Sequence, residues 1–89
     1  MKAVVTVVGK DRVGIIAGVC MELASYHVNV LDISQTVMQG YFTMMMVVDV
    51  SASNLPLAEL ARQLEDKGRE MGLSIRLQRE DIFDAMHRV

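Results

Sequence analysis

"GKDRVGIIAGV", residues 9–19, decides the fold. A β-branched run ends at Gly9, three charged residues follow, and at Gly14 the apolar period changes. Ala3 to Val8 is short, rich in valine and bounded by glycine, which predicts a strand. Its apolar residues fall on both parities, so neither face of that strand is expected to be freely solvated. Beyond Gly14, Ile15, Ile16, Val19, Cys20, Leu23 and Ala24 take the i, i+1, i+4, i+5, i+8, i+9 spacing of one helical face. The stretch therefore reads strand, charged loop, helix. Gly9 and Gly14 have the spacing of a phosphate loop, but Ile15 and Ile16 stand where a lysine and a hydroxyl residue would meet phosphate and magnesium. A nucleotide site is excluded on those two residues.

Outward from this stretch, strand chemistry returns over Val28 to Met38 with broken alternation. Val28 and Val30 share one parity, and Leu31, Ile33 and Val37 the other; a bulge near Asn29 to Asp32 reconciles them. Gln39–Gly40 predicts a tight turn. Tyr41 to Val50 is the next strand, with Phe42, Met44, Met46, Val48 and Val50 on one face and Tyr41, Thr43 and Asp49 on the other. Ser51 to Asn54 is a polar break, and Pro56 suits only the first turn of a second helix. Leu57, Leu60, Ala61, Leu64 and Met71 form that helix's inner stripe, with Glu65 and Arg69 an outer i, i+4 pair. Gly72 ends it in the left-handed region. Leu73, Ile75 and Leu77 then alternate with Ser74, Arg76 and Gln78 as a last strand. The order strand–helix–strand–strand–helix–strand predicts an α+β, ferredoxin-like βαββαβ sandwich, in which two helices cover one face of a four-stranded antiparallel sheet. A single domain is expected over 1–89, with the core fold in 1–79. Residues 80–89 form an extension whose Ile82, Phe83, Met86 and Val89 make an apolar stripe, read as a short C-terminal helix or tail.

With 89 residues, 52% of them hydrophobic and only 4% aromatic, the core must be aliphatic and methionine-rich. A body this small encloses that much apolar surface poorly, so a homodimer is expected. The net charge of −2 gives no general attraction to nucleic acid or to acidic membranes. The first valine run breaks too soon for a signal peptide or a membrane span, and one cysteine, Cys20, excludes an internal disulfide. A reducing, cytoplasmic location is expected.

The charged loop carries the functional expectation. A helix start offers unpaired N–H groups and partial positive charge, for which a carboxylate is a natural guest. Gly14 permits close approach. Asp11 can accept from an ammonium group, Arg12 offers a planar donor fork, and Asn29 adds an amide. Structural alternatives stand beside each role: Asp11 as a helix cap, Arg12 as a solvated charge, Asn29 as a bond to bulge backbone. Cys20, on the apolar stripe, reads as core. His27 and His87 lack a nearby second ligand, and Met44–Met45–Met46 cannot all face one way on a strand, so no metal or cofactor is expected.

"GKDRVGIIAGV…LASYHVNVLDIS" resembles the ACT domain, a small-molecule regulatory module of amino-acid metabolism. The resemblance covers about the whole chain in element order, including the glycine before the first helix (Gly14) and the asparagine of "HVNV" (Asn29). "GKDRVGI" together with the ending "DIFDAMHRV" is most similar to stand-alone, single-domain members. The resemblance implies pairing and an amino-acid site between this loop and a neighbouring strand, held by Asp11, Arg12, Val13, Gly14, Ile15 and Asn29. Val13 stands where many relatives carry proline. The leading expectation is a homodimeric module sensing an amino acid or similar small carboxylate. The alternative is a ligand-free module docking a metabolic enzyme or regulator. A small acyl-phosphate hydrolase ranks below both, because only Arg12 matches it and no nucleophile–base pair is evident; catalysis is not expected.

Overall fold

In the computed structural model, which describes residues 1–81, the chain runs β1 (Lys2–Lys10), α1 (Ile15–Ser25), β2 (Asn29–Met38), β3 (Tyr41–Asp49), α2 (Leu57–Met71) and β4 (Ser74–Arg79). The four strands form one antiparallel sheet in the order β2-β3-β1-β4, the expected ferredoxin-like arrangement. The short C-terminal helix or tail expected over 80–89 lies, from residue 82, outside the described residues.

The core sits between the helices and one sheet face. Odd positions of β1 (Ala3, Val5, Val7) and even positions of β3 (Phe42, Met44, Met46, Val48) are buried there against Ile15, Val19 and Leu23 of α1 and Leu60 and Leu64 of α2. The stripe of α1 is narrower than its sequence spacing suggests: Ile16 and Ala24 are exposed, and Cys20 is half-buried. The reason is sheet coverage. Ile15, Val19 and Leu23 alone point straight down, and β2 extends past the helices as an uncovered edge. On α2 the outer pair expected between Glu65 and Arg69 is replaced by i, i+3 pairs, Arg69 with Asp66 and Arg62 with Glu59 at 2.6 Å. These are solvent-facing contacts of small energetic weight.

Two irregularities set the register. The bulge falls between Val30 and Asp32, so Leu31 is the extra residue and Asp32 pairs with Val47. The hairpin after β2 has positive φ at both Gln39 (50°) and Gly40 (82°), the type I′ geometry that matches strand twist. A glycine is needed at the more strained of those two positions, and one is there.

Candidate functional site

The loop from Asp11 to Gly14 leaves the end of β1 and starts α1 at the hairpin end of the sheet. Two bonds moor it. The Asp11 N–H donates to the Gly40 carbonyl at 2.8 Å, and an Arg12 Nη donates to the Met71 carbonyl at the end of α2. The Arg12 fork is thus partly engaged as a cap on a helix C-terminus, where a cation is favoured. Its remaining N–H groups are unassigned, because guanidinium carries five.

Gly14 is the residue preceding α1 and sits at φ 91°, ψ 0°, in the left-handed region. No side chain caps that helix start, and no acidic residue lies in its first turn. Asp11 is therefore not the cap; its carboxylate makes no hydrogen bond among the described residues. Val13, at the loop tip, is 102% exposed, a fully wet hydrocarbon next to an uncapped helix start. Ile15 points the other way, 2% exposed, into the core. It reaches the site through its backbone alone.

A β-carbon placed on Gly14 meets nothing within 4 Å, so substitution is opposed by backbone conformation rather than by crowding. Gly14→Ala is expected to cost about 1–2 kcal/mol of stability and Gly14→Asn less, since asparagine tolerates the left-handed region. Urea denaturation of both variants checks this; equal losses would mean that the side-chain space, not φ, is limiting.

Asn29 is not brought to this loop within one chain. It pairs with Asp49, which also pairs with Lys2, whereas the loop follows Lys10, the partner of Tyr41. Eight residue steps of β3 separate the two ends, roughly 27 Å at strand rise. Around Asn29 the Ser51 side chain and N–H hold the Asp49 carboxyl below its usual range, and the Met1 amino group packs on the same pair. Counting strand direction in the βαββ order would have located Asn29 from sequence. Arg12's partner could not have been found so, being 59 residues away.

Among the described residues, no group of three or more His, Cys, Asp or Glu is placed to hold a metal, and no helix is long and apolar enough to cross a membrane.

With this geometry in hand, comparison with known proteins gives the class. The family model for the ACT domain matches residues 2–78, and the chain belongs to the ACT domain family. Over its full length and that of the relative, it is 53% identical to a UPF0237 protein of Clostridium acetobutylicum. It superposes on an ACT domain protein from Streptococcus pneumoniae with a TM-score of 0.83 at 45% identity, covering 98% of each chain. A formyltetrahydrofolate deformylase from Pseudomonas syringae shares the fold alone, with a TM-score of 0.79 at 22% identity over 88% of this chain and 27% of that one.

Proposed function

We propose that the protein is a small-molecule-binding regulatory module that senses an amino acid or similar small carboxylate at a homodimer interface, and that it is not an enzyme. The observation that carries this reading is the uncapped start of α1, with the unbonded Asp11 carboxylate and fully exposed Val13 beside it. The ligand carboxylate takes the N–H groups from Val13 to Ile15, and Asp11 takes its ammonium.

The second copy joins along β2. That edge is ten residues long, and Asp32 is its one charged residue. It leaves Leu31, Ile33, Val37 and Met38 exposed, the features of a strand open to pairing. The other edge, β4, is six residues long and carries Arg76 and Arg79. Isologous antiparallel pairing of two β2 strands, centred near Ile33 and Ser34, sets the partner's Asn29 opposite Met38, at the loop end of the sheet. The separation of Asn29 from Asp11 within one chain then becomes proximity between two. The exposed apolar edge also favours the second reading, in which β2 docks a metabolic enzyme or regulator and the loop binds nothing.

Calorimetry on wild type and Asp11→Ala, with an amino acid found by thermal-shift screening and with its deaminated analogue, separates the two. The variant is expected to lose about tenfold or more in affinity for the amino acid, as for a deleted charge-assisted hydrogen bond, and little for the analogue. Equal losses for both ligands would assign Asp11 to loop structure. No stabilisation by any small carboxylate would favour the docking reading.

A further inference from the structure

The sheet face opposite the helices holds a cavity of about 260 Å³ lined by Val4, Asp32, Ile33, Ser34, Met45, Val47 and Glu80. Its size is below the ~300–1,000 Å³ of drug-sized sites and suits a metabolite. The register explains its make-up. Asp32, Val47 and Val4 stand on one rung across β2, β3 and β1, and Ser34 and Met45 on the next. Val4, at 4% exposure, is a dry floor.

The carboxylate is on this floor because of the bulge. Had pairing run on unbroken from Val30, Leu31 would face Val47 and Asp32 would turn to the helix side, beside Met46. The extra residue re-aims Asp32 over hydrocarbon instead. One oxygen of Asp32 accepts the Ile33 N–H at 2.9 Å, which orients the group and leaves the second oxygen available. Glu80, following β4, forms the opposite rim. Neither Asp32 nor Glu80 has a cationic partner among the described residues.

From the apolar floor between two unpaired carboxylates, we propose that this cavity binds a small aliphatic diamine. One ammonium group donates to Asp32 and to the Ser34 hydroxyl, the methylenes lie on Val4, Met45 and Val47, and the second ammonium faces Glu80. Neutral or anionic ligands of the same length gain only the floor. The site is on the opposite sheet face from α1 and shares no residue with the Asp11–Gly14 loop, although Asp32 and Ser34 lie on the β2 edge proposed to pair with the second copy; the outcome with diamine therefore leaves the carboxylate site of the loop untouched.

The test is calorimetry on the full chain with 1,5-diaminopentane, pentylamine and pentanol as probes. Diamine is expected to bind about tenfold tighter than pentylamine, with pentanol weaker still. Asp32→Asn keeps the side-chain shape and should lower diamine affinity about tenfold; Glu80→Gln should reduce diamine to the level of pentylamine. Glu65→Gln, which removes a carboxylate elsewhere, should change nothing. Circular dichroism melts of Asp32→Asn and Glu80→Gln confirm that both remain folded. The proposal is overturned if diamine gives no saturable heat at millimolar concentration, if pentanol binds as well, or if Asp32→Asn and Glu65→Gln act alike.

Discussion

Gly68→Val is expected to destabilise the protein by about 3 kcal/mol, near the upper end of overpacking penalties. A β-carbon at position 68 would lie 2.8 Å from the Leu73 carbonyl oxygen, 2.9 Å from Ile75 Cγ1 and 3.2 Å from the Ile75 nitrogen. Two of those three atoms are backbone. They cannot withdraw cheaply, because β4 is paired with β1 from Ser74 to Arg79 and the Leu73 N–H already donates to the Gly68 carbonyl at 2.7 Å. Alanine brings the same first clash, but recovers roughly 1 kcal/mol of helix propensity relative to glycine. Gly68→Ala should therefore lose clearly less than valine. Urea midpoints at constant slope measure both. A stabilised Gly68→Ala would show that α2 can lift from β4 without cost.

Leu31→Lys with Val37→Lys is expected to weaken self-association at least a hundredfold, through loss of buried side chains and charge placed along a pairing edge. Both residues are on β2, exposed by 47% and 54%, and neither contributes to the described core. The monomer should accordingly keep its fold. Sedimentation across a micromolar concentration series reads the association, and the thermal melt at fixed concentration reads the fold. A wild type that sediments as a 9.9 kDa monomer would refute edge pairing outright. A double variant that dimerises as well as wild type would move the interface elsewhere.

The element order was legible because each boundary carries its own chemistry. Gly9 falls one residue short of the end of β1 at Lys10, Gln39–Gly40 folds the hairpin, and Gly72, at φ 72°, ends α2. The bulge could be read because one side of β2 must return to the correct parity, and Asn29–Asp32 is where the alternation breaks. The faces were harder. Ile16 fits a helical stripe as well as Ile15 does, and only the width of sheet beneath α1 decides between them. Gly68 left no periodic signal, since a residue without a side chain is silent in a hydrophobic pattern; the clue was a glycine inside an otherwise regular helix. At the candidate site, the loop's position and the helix start were legible from Gly14 and the period change. Arg12's bond to Met71 was not, because it depends on where a distant helix ends, whereas the separation of Asn29 from the loop follows from strand direction alone.

The unlike edges of the sheet have a consequence for growth. A chain able to pair through either side would add copies without end, as a ribbon. Under the proposed pairing, two copies joined along β2 use up the welcoming margin of each, and the joined sheet then shows the solvent only its β4 margins, short and studded with Arg76 and Arg79. Strand addition would then stop at the first step. Two-fold closure at one margin and positive charge at the other would make such an assembly finite.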